Sequence, residues 1–300
     1  MIFTYKEKLI IMREKKITWG RPPSDNISLD DCEWYHIMEV PGIEGLTDGT
    51  FDCRNDIDNI FGNLDFKNKK VLNLGPATGY LNFEAEKRGA EVTSIELGID
   101  PNNLQRDWVY NVRKPWKKDM AEFMEHERKR RNAFWYAHKA FNSKSKLVIS
   151  HINNLPKEVG IHDIGIIFSV LCHIRDPYTA LLRMCSHCNE KIVITELGGY
   201  KMRNTLFNAI PRFFRNNFSK PQRPILRFLP KSTKQGAAWW AFNKEAIIKM
   251  LELLGFQKTT VTYHDYNEGR KENGKKVFQY TVIGERTVPI DQCDYDVDPQ

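Results

Sequence analysis

The stretch that decides the fold is Val71–Tyr80, which reads Val-Leu-Asn-Leu-Gly-Pro-Ala-Thr-Gly-Tyr and breaks from an apolar run into a glycine-containing turn. A helix-like stretch, Leu81–Arg88, follows and ends at Gly89. A second apolar run, Glu91–Ile95, then stops at the acid Glu96. A buried parallel strand, a Gly-x-x-x-Gly loop, a helix and a second strand that ends in a carboxylate form one half of a nucleotide-binding α/β sheet.

The chemistry of this turn narrows the class of ligand. Gly75 and Gly79 let the backbone pass close to a ligand without a Cβ in the way, and Glu96 can accept hydrogen bonds from both hydroxyls of a ribose. The turn is not the Gly-x-Gly-x-x-Gly that pyrophosphate binders prefer, and it carries no Lys for a triphosphate. A cofactor with an adenosine and no phosphates fits these features, and the common one is S-adenosylmethionine.

Composition excludes several classes of protein. The 300 residues are 41% hydrophobic, so the chain can bury a sizeable core and is not disordered as a whole. It holds no run of ~18 apolar residues that could span a membrane, and its N-terminus lacks the pattern of a signal peptide. The six cysteines are scattered, which favours reduced thiols in the cytoplasm. Cys185-x-x-Cys188 is half of a zinc site without a second pair, so we predict no metal.

Further apolar runs extend the pattern into a complete α/β fold. We predict a Rossmann-like sandwich with a mostly parallel seven-stranded sheet, helices on both faces and a closing antiparallel hairpin. Right-handed crossovers would place every carboxyl-end loop at one edge of the sheet, where ligands bind in such folds. Beyond Glu96, strands are predicted at Lys146–Ser150, Ile164–Ser169 and Lys191–Thr195, and the hairpin at Gln257–Tyr263 and Lys276–Glu285 with Asn273-Gly274 in its turn. Helices are predicted at Ile57–Gly62, Met120–Arg131, Asp176–Met184 and Phe242–Leu254.

Several spaced motifs resemble those of a known family, the class I S-adenosylmethionine-dependent methyltransferases. More narrowly, the chain resembles the family that includes the wobble-uridine tRNA (carboxy)methyltransferases. The resemblance covers roughly residues 33–264. It rests on Trp34-Tyr35-His36, Phe51-Asp52-Cys53-Arg54, the Val71–Tyr80 loop with Glu96, the segment Phe168–Pro177 and Trp239-Trp240. It implies an N-terminal lid or substrate segment (1–62), a methyltransferase domain (63–290) with a basic aromatic insert (197–234), and an acidic tail (291–300).

The resemblance also implies which residues hold the cofactor. The glycine loop would pack against its methionine part, Glu96 would take the ribose, and Leu97 would lie beside the adenine. Asn73 stands where the family has an acid, which keeps hydrogen bonding but removes a charge near the cofactor amine. Cys172 replaces a tyrosine in a shortened loop, and the cations that would hold a carboxylated cofactor have no clear counterparts, so plain methyl transfer is implied. The implied cofactor-binding residues are Gly75, Ala77, Thr78, Gly79, Glu96, Leu97, Ile152, Asn153 and Ser169.

Two histidines are candidates for the chemistry of transfer. A hydroxyl acceptor must be aligned with the methyl donor and must lose a proton, and histidine has an intrinsic pKa near neutrality. His173, just past the fourth predicted strand, is the first candidate, and the alternative is a histidine that only hydrogen-bonds its loop. His36 is the second, and its alternative is packing of the lid. The candidate substrate residues are Trp34, Tyr35, Arg54, Trp239 and Trp240, although the aromatic ones could equally be core residues.

The net charge of +7 belongs to one segment. Between Leu197 and Lys234 there are nine Lys or Arg and no Asp or Glu, interleaved with phenylalanines, so the rest of the chain is slightly acidic. This segment predicts a lid for an anionic acceptor, namely a phosphorylated or lipid-linked glycan, another small metabolite, or tRNA. A merely solvated basic face is the alternative. Three functions stay open: a methyltransferase for a small molecule or glycan, a tRNA-modifying enzyme, and a non-catalytic binding module.

Overall fold

A computed structural model describes residues 16–100, 119–198, 223–229, 238–269 and 275–295. An eight-stranded sheet forms its centre, with a separate two-stranded sheet beside it. The strands are β1 (Phe51–Asp52), β2 (Lys70–Leu74), β3 (Glu91–Glu96), β4 (Lys146–Ile149), β5 (His162–Phe168), β6 (Cys188–Leu197), β7 (Leu226–Phe228), β8 (Trp240–Phe242), β9 (Lys258–Glu268) and β10 (Lys275–Glu285). The α-helices of the described residues are α1 (Ile57–Ile60), α2 (Tyr80–Lys87), α3 (Asp119–Ala140), α4 (Pro177–Cys185) and α5 (Lys244–Leu253).

The strand order of the large sheet is β1-β9-β10-β6-β5-β2-β3-β4. The strands from β2 to β6 pair in parallel, whereas β10 is antiparallel to both β6 and β9. The predicted fold class, with its closing hairpin, is therefore confirmed. The sheet has eight strands rather than seven because Phe51 and Asp52 pair with Glu268 and Asn267 along the outer edge of β9. The predicted turn residues Asn273 and Gly274 lie outside the described residues.

The topology reverses next to β2, in the middle of the parallel part. From β2 the chain runs outward to β3 and β4, and then returns to the other side of β2 to form β5 and β6. At such a switch point the loops after the two central strands leave in opposite directions, and a crevice opens at their carboxyl ends. The residues that follow β2 and β5 are Gly75 and Ser169.

Helices cover both faces of the sheet because the buried strands are apolar on both sides. On β2, Val71 packs with one core cluster and Leu72 with the other. The first cluster contains buried residues of α1 and α2 and of the N-terminal segment, and the second contains buried residues of α4 and α5. The central strands thus lie between two packed layers.

Local signals place the helices close to where the sequence predicts them. Asp176 caps α4 by accepting a hydrogen bond from the backbone N–H of Thr179 at 3.1 Å, and Pro177 occupies its first turn. Asn243 caps α5 in the same way through Ala246. The charged stretch and the apolar stretch after residue 119 form one continuous 22-residue helix, α3.

The N-terminal segment covers the outer edge of β4. The backbone N–H of Gly20 donates to the carbonyl of Leu147 at 2.7 Å, and that of Ile149 donates to the carbonyl of Thr18 at 2.8 Å. Trp19 thereby forms an antiparallel bridge with Val148. Among the helices described here, none is both long and apolar enough to cross a bilayer.

Candidate active site

A crevice of about 200 Å³ opens at the carboxyl ends of the parallel strands. Its floor is built from the residues that end or follow four neighbouring strands, as the topology of the sheet requires. A segment from the N-terminus and one face of α3 complete the walls. The lining residues used below are Tyr35, His36, Gly75, Pro76, Ala77, Glu96, Leu97, Glu127, Arg130, Arg131, Ser150, Ile152, Phe168, Ser169, Val170 and His173.

The glycine loop brings backbone to the wall of the crevice. Gly75 has φ +73°, and a Cβ there would lie 2.8 Å from Cγ2 of Val170. Gly79, which precedes α2, has φ +89°, and its Cβ would lie 2.6 Å from the ring of Phe83. A side chain at either position would therefore meet both backbone strain and a steric clash. Gly75, Pro76 and Ala77 line the crevice, whereas Gly79 turns the chain into the helix behind it.

Glu96 lies at the end of β3, on one side of the glycine loop. Its Oε1 accepts a hydrogen bond from the backbone N–H of Leu97 at 2.9 Å, and the guanidinium of Arg131 donates to the carbonyl of Leu97 at 3.0 Å. The hydrogen bond from the next residue thus holds the carboxylate at the crevice wall. This position is the one at which a carboxylate accepts the hydroxyls of a ribose in nucleotide-binding sheets.

Helix α3 adds three charged residues that the sequence reading missed. Glu127, Arg130 and Arg131 line the crevice beside Glu96, and Arg130 donates to Glu127 at 2.7 Å. Burial raises the pKa of Glu127; Arg130 lowers it, and the nearby Glu96 raises it further. Spacings of three and four residues place these side chains on one helix face, a signal that the sequence contains. We refer to Glu96, Glu127, Arg130 and Arg131 as the charged side.

The opposite side of the glycine loop is apolar and aromatic. The ring of His36, 3% exposed, has its centroid 5.0 Å from that of Tyr35, 5.7 Å from that of Tyr80 and 6.4 Å from that of Phe168. Burial lowers the pKa of His36 to about 3, so its imidazole is neutral. Nδ1 lies 3.3 Å from Oγ1 of Thr78, and Nε2 has no hydrogen-bond partner among the described residues. We refer to Tyr35, His36 and Phe168 as the aromatic side.

The loop after β5 carries His173 and is held by hydrogen bonds to side chains of β10 and β6. Ser169 adopts φ +53°, which is unusual for a residue other than glycine, and its hydroxyl accepts from Nε2 of Gln279 at 3.0 Å. His173 follows in a short 3₁₀ turn and lines the crevice. Glu196, which is buried at the end of β6, accepts the backbone N–H of Cys172 at 3.4 Å.

Glu196 is a further residue that the sequence analysis does not predict. Burial raises its pKa to about 8, while hydrogen bonds from the backbone of Cys172 and Leu171 act in the opposite direction. The sequence offers one signal for it, an acid at the carboxyl end of a predicted parallel strand. Its side chain contacts the turn that carries His173 and does not line the crevice.

The structure brings together nine of the predicted site residues. The predicted residues that line the crevice are Tyr35, His36, Gly75, Ala77, Glu96, Leu97, Ile152, Ser169 and His173. The others lie behind it or beside it. Thr78 is fully buried and contacts His36, and the backbone N–H of Asn153 donates to the ring of His151. These assignments to cofactor, acceptor and catalysis stay predictions.

The remaining predicted substrate residues occupy other places. Trp34 is buried in the core and packs edge-on against Tyr136. Arg54 forms a two-pronged ion pair with Asp52. Trp239 donates its backbone N–H to Cys172 at 2.8 Å, and Trp240 donates its indole N–H to the carbonyl of Arg175 at 3.1 Å. These two tryptophans therefore support the loop that carries His173.

Asn73 does not reach the crevice. Its Nδ2 donates to Oδ1 of Asn82 at 2.7 Å, and Asn82 in turn donates to Oγ of Ser94 at 2.7 Å. All three residues are buried between β2, α2 and β3. The side chain of residue 73 therefore ties the helix to the sheet, and its neutral charge bears on that packing rather than on a group in the crevice.

The described residues contain no group of three or more His, Cys, Asp or Glu side chains arranged to hold a metal ion. Cys185 and Cys188 are buried in the core, and their carbonyls accept hydrogen bonds from Arg286. Much of the basic segment 197–234, including Arg212, Arg215 and Lys220, lies outside the described residues.

The sequence and the fold were each compared with known proteins, and each comparison found similar ones. No family model matches the sequence. A stretch of 95 residues is 30% identical to tyrosine–tRNA ligase 2 of Photorhabdus laumondii, and it makes up 28% of this chain and 23% of the ligase. The chain thus spans less than a quarter of the length of this curated relative.

Solved structures similar to this fold include methyltransferases and a domain crystallised in the presence of S-adenosylhomocysteine. Magnesium protoporphyrin IX methyltransferase of Synechocystis with bound S-adenosylhomocysteine shares 13% identity, covering 78% of this chain and 81% of that one with a TM-score of 0.44. The N-terminal domain of EvdMO1 with S-adenosylhomocysteine and D-fucose shares 17%, covering 86% and 93%, with a TM-score of 0.45. The 1,6-didemethyltoxoflavin-N1-methyltransferase of Burkholderia thailandensis shares 12%, covering 79% and 78%, with a TM-score of 0.41. Since all three TM-scores are below 0.5, the fold assignment rests on strand order and register.

Proposed function

We propose that this protein is an S-adenosylmethionine-dependent methyltransferase that transfers a methyl group to an oxygen or nitrogen of a small-molecule or glycan acceptor. The observation that carries the proposal is the position of Glu96. Its carboxylate lines the crevice at the end of β3, beside the Gly75–Ala77 loop and at the switch point of the sheet. This arrangement suits a ligand that presents a ribose diol at the charged side.

The residues present fit this cofactor in two respects. Gly75 lines the crevice without a side chain, and a Cβ there would meet Val170. Bare backbone at this point allows a ligand to approach closely. The glycine loop contributes no cation to the crevice, and the two arginines of its wall already bond to protein groups, Arg130 to Glu127 and Glu33 and Arg131 to the carbonyl of Leu97. The loop is therefore better suited to an adenosine without phosphates than to a nucleotide triphosphate.

The bound cofactor would supply an activated methyl group on a sulfonium. Glu96 would hold the ribose hydroxyls, while Leu97 and Ile152 would contact the adenine. Tyr35, His36 and Phe168 would keep water away from the other side of the loop, where the acceptor would be aligned. His36 and His173 both line this crevice and are the candidates for orienting the acceptor and taking its proton.

The N-terminal residues 1–62 would act as a lid. Tyr35 and His36 come from this segment. Arg130 of α3 anchors it, because its guanidinium lies 5.5 Å from the ring of Tyr35 and 3.3 Å from a carboxylate oxygen of Glu33. A lid that buries the acceptor suits a small molecule better than a polynucleotide.

Calorimetry with S-adenosylhomocysteine tests this function. The wild type should bind, and Glu96→Gln should weaken the affinity about 10–100-fold, since hydrogen bonds to a charged group contribute roughly 1.5–3 kcal/mol. Glu91→Gln is the matched control, because Glu91 is an exposed acid at the opposite end of the same strand. Absence of binding by the wild type, or equal losses in the two variants, would contradict the proposal.

A further inference from the structure

One strand outside the crevice is exposed along its whole length. Residues 223–228, which include β7, are all exposed, and the next residue, Leu229, is buried. Ile225, Leu226 and Phe228 are 51%, 41% and 49% exposed. Single exposed apolar side chains are common on proteins, but three within four positions form a patch, and such patches mark interaction sites. We refer to residues 223–228 as the exposed strand.

The backbone of the exposed strand is fixed by hydrogen bonds. Asn243, which caps α5, accepts the N–H of Ile225 on its Oδ1 at 2.9 Å, and its Nδ2 donates to the carbonyl of Arg223 at 2.9 Å. The strand also pairs with β8, and the N–H of Leu229 donates to the carbonyl of Trp239 at 2.8 Å. A partner therefore meets a preformed surface and does not have to order a loop when it binds.

The exposed strand lies beside the crevice but is not part of its wall. None of residues 223–228 lines the crevice. The ring of Phe228 stacks on that of Trp239, with 6.2 Å between the centroids. Trp239 donates its backbone N–H to the carbonyl of Cys172 at 2.8 Å, and the residue after Cys172, His173, lines the crevice. A surface that binds the exposed strand would thus lie next to the crevice.

The charge around these apolar side chains is positive. Arg223 and Arg227 are exposed within the strand, and neither β8 nor the stretch from 197 to 234 contains an Asp or Glu. Arg175 adds a third exposed cation, and its guanidinium lies 5.4 Å from the ring centroid of Trp239. Apolar side chains framed by arginines complement a surface that has phosphates outside and hydrocarbon beneath them.

We infer that the exposed strand docks this protein onto the surface of a membrane that contains anionic lipids. Ile225, Leu226 and Phe228 would enter the boundary between head groups and acyl chains, and the arginines would bind lipid phosphates. The aliphatic side chains favour this partner over nucleic acid, because they offer bases no aromatic face but gain from leaving water for hydrocarbon. This inference goes beyond the proposed function and does not depend on it.

Sedimentation of the full chain with lipid vesicles tests the inference. The vesicles are phosphatidylcholine with and without phosphatidylglycerol as a minor component. The wild type should bind the anionic vesicles at least about 10-fold more tightly than the neutral ones, and added salt should weaken this binding. The double variant Leu226→Ser/Phe228→Ser should lose about 10-fold or more in affinity, and Arg227→Gln about 3–5-fold. Because these side chains are exposed, the variants should unfold at the wild-type temperature.

Two substitutions elsewhere are the matched controls. Leu253→Ser removes an apolar side chain that is 77% exposed at the far end of α5, and Lys146→Gln removes an exposed cation at the start of β4. Both should bind anionic vesicles as the wild type does. The inference would be overturned if the wild type does not bind anionic vesicles, if it binds neutral vesicles equally well, or if the controls lose as much affinity as the strand variants.

Two other partners of the exposed strand would give different results. Binding to nucleic acid would appear as an affinity for tRNA that is lost in the double variant. Binding to a second copy of the chain would appear as a wild-type dimer, which analytical ultracentrifugation would show to be a monomer in the double variant. Either result would overturn the inference. Failure to bind S-adenosylhomocysteine would instead remove the proposed function and leave the vesicle result unchanged.

Discussion

The two sides of the glycine loop differ in charge and in burial. The charged side sets Glu96 and Glu127 beside Arg130 and Arg131, all half-buried. The aromatic side sets a neutral, buried histidine among rings. Charged groups that keep some water can exchange it for the polar part of a ligand, whereas a dry, neutral side strengthens a single proton transfer. On the proposed function, the charged side would bind the cofactor's ribose and the aromatic side would hold the acceptor.

The largest expected effect separates the two sides by substitution. His36→Gln should lower methyl transfer by about 100-fold, because His36 is a candidate for orienting the acceptor and a displacement of about 1 Å costs about 10²-fold, and should leave the affinity for S-adenosylhomocysteine within about 3-fold. Glu96→Gln should show the reverse pattern, with the loss in binding. Turnover of labelled methyl donor and calorimetry measure the two quantities. Similar losses of affinity in both variants would mean that cofactor binding and methyl transfer do not depend on different sides of the crevice.

The loop between the two sides should tolerate little change. Gly79→Ala should destabilise the fold by about 2–4 kcal/mol, since left-handed backbone costs about 1–2 kcal/mol for other residues and the new Cβ would meet the ring of Phe83. Gly42→Ala is the control, because Gly42 also has a positive φ but nothing lies within 4 Å of its Cβ position. It should lose only about 1–2 kcal/mol. Urea unfolding gives both values, and equal losses would exclude the steric part of the argument.

Acid should destabilise the protein through the aromatic side. The pKa of His36 is lowered to about 3 by burial, below its usual 6.5, so the unfolded chain binds more protons between these values. The contribution of His36 is fully present above pH 6.5 and is lost as the pH falls toward 3, by at most about 1.4 kcal/mol per pH unit. His162 acts in the same direction through its pKa of about 4. Thermal unfolding from pH 7 to 4 should therefore show a shallower slope in His36→Gln than in wild type, and an unchanged slope would contradict this account.

A rise in pH from 4.5 to 8 should destabilise the protein through Glu196, by a smaller amount than acid does. Burial raises the pKa of this carboxyl to about 8 from 4.5, so the folded state holds a proton that the unfolded chain gives up. Stability should fall as the pH rises from 4.5 and level off above 8. The decline should be less than that from acid, because Glu196 is one group whose pKa shift is as large as that of His36, whereas in acid His162 adds to the effect of His36. Glu196→Gln should raise the melting temperature at pH 8 more than at pH 5, and the opposite order would contradict the prediction.

The sequence predicts those parts of the molecule that depend on neighbours along the chain. The loop from Gly75 to Gly79, the acid at the end of β3 and the cap of α4 follow from local spacing, and the structure has them where the sequence places them. The eighth strand escapes prediction, because two residues pair with a strand more than two hundred positions away. A pairing of this kind leaves no local pattern.

The candidate site also combines residues that local sequence predicts with residues that depend on the tertiary fold. Glu96 and His173 follow from their place after predicted strands, but the contribution of α3 depends on how that helix crosses the sheet. Asn73 differs most clearly from expectation, since the family resemblance implied a place near the cofactor amine and its side chain instead donates a hydrogen bond to Asn82. Which of two faces a strand residue presents depends on the register of the whole sheet.

The short pairing of residues 18–20 with β4 has a consequence for handling the protein. The outermost strand of an open sheet offers a row of unpaired amides that a second molecule can extend, and this is a common start of aggregation. Thr18 and Gly20 occupy hydrogen-bonding positions along that row, and glycine is needed there because a Cβ would approach Leu147 to 2.9 Å. A protein shortened to begin at residue 21 should thus keep its crevice intact but self-associate and precipitate at high concentration.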